Sequence, residues 1–223
     1  FLNLILVMKL ILFFAFLFKL LFLPDGFVYL KDIDDSIIVD LKYFTNSNFT
    51  AQKVDYYYSN NAILTEETAI ALSRAQSQFK KLGYSLIVYD AYRPQSSVDF
   101  FVSWSKKQED TLNKHIYYPN INKSDLFKLG YIAKKSGHSR GSTVDVSLVN
   151  ISTKLEIDMG TIYDFFGVES STFFSDISEI QKNNRYLLYD IMIKNGFKNY
   201  SKEWWHFTLI DEPYNEYYNF PVK

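Results

Sequence analysis

The 223-residue chain contains no cysteine. That excludes disulfides, thiolate nucleophiles and Cys-ligated metals, and leaves His, Asp and Glu to hold any metal ion. Runs of Lys or Arg are also missing. With 24 basic against 25 acidic side chains and a net charge of -1, nothing tracks a phosphate backbone, and no nucleic-acid partner is expected. Apolar residues make up 48% and charged residues 22%, which argues against disorder and for one domain with a sizeable core. Histidine occurs three times, at His115, His138 and His206.

Residues 1–23 do not read like the interior of a soluble domain. They are almost all Leu, Ile, Phe and Val, interrupted by Asn3, Lys9 and Lys19. From Met8 the order is Met-Lys, then an apolar run from Leu10 to Phe18, the shape of a secretory signal. No small-x-small cleavage site precedes Pro24, so an uncleaved anchor fits equally. A buried N-terminal helix fits less well because amphipathic spacing is absent. The expectation is a signal or anchor over residues 1–24, with membrane contact through 1–23, and one folded domain over 25–223.

After Pro24-Asp25-Gly26 the pattern is that of a mixed domain. Ile37–Tyr43 reads as a strand. Thr65 is a plausible N-cap for a helix that opens with Glu66 and Glu67, turns Leu72, Ala75, Phe79 and Leu82 inward, and stops at Gly83. Ser85–Tyr89 is a short apolar strand leading into Asp90-Ala-Tyr-Arg93-Pro94, and Pro94 opens a second helix. Residues 108–130 are polar and Asn-rich, reading as a surface excursion. Thr143–Val149 alternates as a strand carrying Asp145, and Leu155–Ile157 returns antiparallel. Ser178–Asn195 is a third helix with Ile180, Leu187, Leu188, Ile191 and Met192 inward and Gly196 at its end. Trp205–Ile210 is the last strand. No regular βαβ rhythm appears, so the fold class expected is α+β, a mostly antiparallel central sheet with flanking helices.

Two short segments carry the chemistry. Ser136-Gly-His138-Ser-Arg-Gly141-Ser-Thr-Val-Asp145 places an imidazole and a carboxylate seven residues apart, with a glycine where the chain can turn. Glu203-Trp204-Trp205-His206 supplies a second imidazole. A catalytic zinc usually holds three protein ligands and keeps one position for water. His138, Asp145 and His206 are the right number and kind. Glu203, three residues before His206, would reach the bound water in a turn and move its proton. Trp204 and Trp205 read as packing that walls the site, and His115 as an exposed residue of the excursion.

The pattern Ser136-x-His138-x-x-Gly141-x-Thr-x-Asp145, followed by Glu203-x-x-His206, resembles the zinc D-alanyl-D-alanine dipeptidases of the VanX type, within the D,D-peptidases that share a fold with the Hedgehog signalling domain. The resemblance extends to Tyr89-Asp-Ala-Tyr-Arg93-Pro94, Tyr117-Tyr-Pro-Asn-Ile121, Asp158-Met-Gly160 and Asp211-Glu-Pro-Tyr214. It departs at Thr143, where the broader pattern has Ala, and in the hydrophobic N-terminus.

The resemblance implies one zinc ion on His138, Asp145 and His206, with Glu203 as general base and Arg93 stabilising the tetrahedral intermediate. It implies that Asp164, helped by Tyr43, receives the free ammonium of a small D,D-dipeptide, and that Ser136 bonds the substrate backbone. The activity implied is hydrolysis of D-alanyl-D-alanine in bacterial cell-wall metabolism. The N-terminal segment favours an exported or membrane-anchored location over a cytoplasmic one. The alternatives are a zinc D,D-carboxypeptidase acting on peptidoglycan stems and a zinc-binding module that has lost catalysis.

Overall fold

The computed structural model of the chain describes residues 23–223, so the signal-or-anchor expectation for residues 1–22 lies outside the described residues. No helix among the described residues is long and apolar enough to cross a membrane.

A five-stranded sheet positions everything else. In spatial order it runs β2 (Ile38–Val39), β4 (Tyr84–Asp90), β5 (Thr143–Asn150), β7 (His206–Leu209) and β6 (Phe197–Asn199). The β2–β4 pair is parallel and the others are antiparallel. A separate ribbon pairs β1 (Phe27–Tyr29) with β3 (Ile63–Thr65). The class is the expected α+β, with an antiparallel centre.

Alternation along the central strands sorts the two faces. Leu86 and Val88 on β4 and Val144, Val146 and Leu148 on β5 are wholly buried. The helix α2 (Glu66–Lys81) packs on β4, α5 (Glu179–Lys194) packs on β6, and the two helices touch each other. The residues between them on β5, Asp145 and Ser147, face the other way, toward the loops that form the site.

Local chemistry explains the boundaries. Ser178 caps α5 with a reciprocal capping box: its hydroxyl accepts from the Gln181 backbone, and the Gln181 side chain accepts from the Ser178 N–H. Pro94 stands just before α3 (Gln95–Lys106), where its missing N–H costs nothing. Among the described residues the remaining α-helices are α1 (Leu30–Ile33) and α4 (Lys114–Tyr117), each of a single turn.

Several expectations need correction. Ile37–Tyr43 is not one strand: only Ile38–Val39 pairs, and Lys42–Phe44 winds into a 3-10 turn that buries Tyr43. Thr65 does precede α2, but its hydroxyl bonds the hydroxyls of Thr68 and Ser142 instead of capping the backbone. Leu82 and Ile180 are exposed, since each sits at the end of its helix, where the chain leaves the core. The 108–130 excursion is anchored: Tyr118 and Leu126 are buried, and the buried Lys123 ammonium donates to the carbonyls of Lys107 and Asp110 at 2.6 Å each, over the Trp104 ring.

Candidate active site

The sheet brings three polar residues into one row. Asp145 on β5 is in register with His206 on β7 and, past a bulge in β4, with Asp90. His138 comes from a 3-10 turn, Gly137–Arg140, whose entry is capped by Ser136: its hydroxyl accepts from the His138 backbone at 3.3 Å. The turn ends at Gly141 with φ +82°, where a Cβ would also collide with the Phe27 ring. Only glycine satisfies both conditions.

Three ligand atoms converge at this row. Asp145 Oδ1 lies 3.0 Å from His206 Nδ1 and 3.3 Å from His138 Nε2, and the two ring nitrogens are 3.4 Å apart. The His138 Nδ1 sits 2.7 Å from the Ala91 carbonyl, which fixes the proton on Nδ1 and leaves Nε2 free to bind a metal. Asp145 Oδ1 is buried and lacks a hydrogen-bond donor. A buried carboxylate oxygen left in this way is costly unless a cation completes it. Ligand atoms held tetrahedrally at about 2.0–2.1 Å from an ion stand about 3.3 Å apart, close to the spacing seen here. The residues present therefore fit a metal ion.

Around this cluster lies a cavity of about 330 Å³. Glu203 is brought to it by a tight turn, with Glu203 N–H donating to the Tyr200 carbonyl at 2.8 Å and His206 N–H to the Glu203 carbonyl at 3.2 Å. The Asn199 side chain clamps that turn by donating to the carbonyls of both Glu203 and His206. Glu203 Oε2 is 3.5 Å from His206 Nδ1. Burial, partly offset by His206, pushes the Glu203 carboxyl up to about 7. Trp204 and Trp205 are buried, and the Trp204 indole N–H donates to Thr161.

Arg93 lines the same cavity. Its Nε and Nη2 both reach Asp90 Oδ2 at 2.8 Å, and Nη2 is 3.6 Å from Asp145 Oδ2. The Tyr57 hydroxyl donates to the other Asp90 oxygen at 2.6 Å. The ion pair with Asp90 fixes the guanidinium in place, stacked over the Tyr43 ring with 5.0 Å to its centroid.

At the far end stands Asp164, 6% exposed, with a left-handed backbone at φ +60°. Such a conformation is uncommon for a residue with a side chain and persists only where the surroundings impose it. They do so here: Arg185 of α5 donates to the carbonyls of Met159 and Ser171 at 2.6 Å each, and Phe166 N–H donates to the Tyr117 carbonyl. Tyr43 donates to Asp164 Oδ2 at 2.8 Å. Burial and the charge of Asp145 raise the Asp164 carboxyl well above its ordinary value.

The structure thus gathers Ser136, His138, Asp145, Glu203, His206, Arg93, Tyr43 and Asp164 around one cavity. His115 stays exposed on α4, away from it. Sequence reasoning missed the Ala91 carbonyl, Asn199, Tyr57 and Tyr163. A backbone carbonyl leaves no trace in residue type, Asn199 bonds carbonyls four and seven residues on that residue type does not announce, and Tyr57 and Tyr163 act on residues 33 and 18 positions away.

The profile of the D-ala-D-ala dipeptidase family, peptidase family M15, matches residues 24–223. The chain belongs to this family. It is 42% identical to a D-alanyl-D-alanine dipeptidase of Enterococcus faecalis over 202 residues, spanning 90% of this chain and 100% of that one. A D-alanyl-D-alanine dipeptidase of Streptomyces coelicolor is 40% identical over 201 residues, with the same coverage. One from Escherichia coli is 28% identical over 171 residues, 77% of this chain and 78% of the relative. The family is one of metallopeptidases, in keeping with the His138, Asp145 and His206 cluster.

Proposed function

We propose that the chain hydrolyses the dipeptide D-alanyl-D-alanine to free D-alanine, with one zinc ion held by His138, Asp145 and His206. The observation that carries this reading is the buried Asp145 Oδ1, without a donor and 3.0–3.3 Å from two ring nitrogens. Two nitrogens and one oxygen suit a catalytic zinc, which keeps its remaining position for water or substrate. Bound there, the ion would supply Lewis-acid polarisation of the peptide carbonyl and an acidified water.

The chain's own residues divide the rest. Glu203, with a pKa near 7, is matched to taking a proton from water and returning it to the leaving amine. Arg93, immobilised by Asp90, meets the developing oxyanion with a fixed charge that needs no reorganisation. Asp164 and Tyr43 receive the substrate ammonium, which supplies the counter-charge that a buried carboxylate otherwise lacks. Ser136 bonds the substrate backbone. Asp145, Asp164 and Glu203 line the cavity with Arg93 and Lys135, and Asp90 pairs with Arg93 behind the lining, so acidic groups outnumber the basic ones and favour a metal cation and an ammonium together.

The anchor at Asp164 and the small cavity favour a dipeptide over a longer stem, whose next residue would be attached where the ammonium sits. D-Alanyl-D-alanine links this activity to cell-wall metabolism. Rates on the free dipeptide and on a stem pentapeptide decide between dipeptidase and D,D-carboxypeptidase: faster release of D-alanine from the pentapeptide would refute the dipeptidase reading. The apolar residues 1–23 support export or membrane anchoring. Cell fractionation with N-terminal sequencing tests that, and recovery of the intact chain from the cytosol would contradict it.

A further inference from the structure

The buried Tyr163 belongs to no role described so far, yet its hydroxyl stands between the two halves of the site. It lies 2.9 Å from Asp145 Oδ2, the oxygen turned away from the imidazoles, and 3.1 Å from the Tyr43 hydroxyl. Tyr43 in turn reaches Asp164 Oδ2 at 2.8 Å. Four oxygens therefore form one unbroken line from Asp145 to Asp164. The Tyr163 ring is held 4.9 Å from the Tyr89 ring and 5.4 Å from Trp205, centre to centre. Aromatic walls give a buried hydroxyl nothing to bond, so its partners along the line decide whether it is tolerated.

We propose that Tyr163 is a positioning residue whose hydroxyl orients the Asp145 carboxylate and couples it to the Tyr43–Asp164 pocket. The inference rests on the proposed roles of Asp145 as a metal ligand and Asp164 as the ammonium acceptor.

The coupling follows from counting hydrogens. The line has three short contacts, but the two hydroxyls hold only two hydrogens. With Asp145 ionised as a metal ligand, all three contacts become hydrogen bonds only when Asp164 carries a proton: its O–H donates to Tyr43, Tyr43 to Tyr163, and Tyr163 to Asp145. The direction in which burial shifts Asp164 agrees with that state. An arriving ammonium turns Asp164 into a carboxylate, and the displaced proton leaves to water. Tyr43 then gives its hydrogen to Asp164, and Tyr163 keeps its own on Asp145. Filling the amino end thus breaks the Tyr43–Tyr163 bond and leaves Tyr163 committed to the metal ligand alone. Such coupling between sites is reciprocal by thermodynamic necessity.

Tyr163→Phe keeps the ring between Tyr89 and Trp205 and removes only the hydroxyl. The test compares parent, Tyr163→Phe, Tyr43→Phe and the double variant for zinc affinity, by competition with a chelator, and for KM and kcat on D-alanyl-D-alanine. In Tyr163→Phe, zinc is expected to bind about 10–100-fold more weakly, the usual cost of losing a group that orients a ligand. At saturating zinc KM is expected to fall more than kcat changes, because the arriving ammonium no longer has to break the Tyr43–Tyr163 bond, with the thermal unfolding midpoint of the metal-free protein little changed. Tyr43→Phe is expected to weaken zinc binding in the parent but not in the Tyr163→Phe background, since its path to the metal runs through that hydroxyl. Parent-like zinc affinity in Tyr163→Phe, or equal effects of Tyr43→Phe in both backgrounds, overturns the inference while leaving the dipeptidase reading intact. A parent protein that binds no zinc and cleaves no dipeptide overturns both.

Discussion

Asp145 and His206 face each other across β5 and β7, in register and 3.0 Å apart from Oδ1 to Nδ1. A distance set by strand pairing is stiff, because changing it means changing the sheet. The third atom, His138 Nε2, is set by a loop, and its ring is oriented by the Ala91 carbonyl. Two ligands on rigid strands and one on a braced turn form a site built before metal arrives. Metal should therefore stabilise a fold that already exists. Excess zinc at a thousandfold above its Kd is expected to add about 4 kcal/mol to unfolding, and His206→Ala to abolish that gain in a denaturant titration.

Glu203→Ala is expected to keep the fold and the bound metal while kcat falls by about 10²–10⁴-fold, the usual worth of a general acid–base group. Metal analysis together with steady-state rates checks this. Loss of metal along with activity would shift Glu203 from proton transfer to metal binding.

Glu203 also makes a stability prediction with a definite sign. Burial raises its folded-state pKa to about 7 from the ordinary 4.5, so between these pH values the folded protein binds more protons than the unfolded chain. Stability of the metal-free protein then falls as pH rises through this window. Glu203→Gln is expected to stabilise the metal-free protein at pH 8 and to leave it nearly unchanged at pH 4. Urea unfolding at both values provides the comparison.

Arg93 has two partners and two consequences. Arg93→Lys keeps a charge but loses the forked grip on Asp90, and kcat is expected to drop by about 10²–10³-fold with a smaller change in KM. Arg93→Ala leaves the buried Asp90 carboxylate without its ion-pair partner and is expected to destabilise the fold by about 3–5 kcal/mol. Kinetics on the first variant and unfolding of the second separate the two effects.

Much of the site is legible in the sequence because its residues are concentrated in short segments. The spacing from His138 to Asp145, with Gly141 between them, encodes a turn followed by a strand, and both form. Glu203 and His206 sit one turn apart, and the backbone closes that turn. What stayed hidden depends on tertiary contact. Ile37–Tyr43 has strand composition, yet burying Tyr43 beneath Arg93 and beside Asp164 requires the chain to wind after Val39. The polar excursion over residues 108–130 conceals Lys123, whose ammonium is satisfied by carbonyls that no spacing announces. Tyr163 reads as one aromatic among many until its hydroxyl is found against Asp145.

Gly141→Ala probes the turn that carries His138. The backbone there is left-handed and the Phe27 ring fills the space of a Cβ. The substitution is expected to cost more than about 1 kcal/mol of stability and to weaken metal binding by displacing His138. Normal stability with normal metal affinity would show that the turn is not held as described.

The central claim is that one metal ion on His138, Asp145 and His206 drives cleavage of the dipeptide. The most direct measurement is a titration of zinc into chelator-stripped protein while D-alanine release from D-alanyl-D-alanine is followed. The expected result is no activity at the start, a linear rise that ends at one zinc per chain, and no rise at all in His206→Ala. Full activity in the stripped protein, or an unchanged titration in His206→Ala, would contradict it.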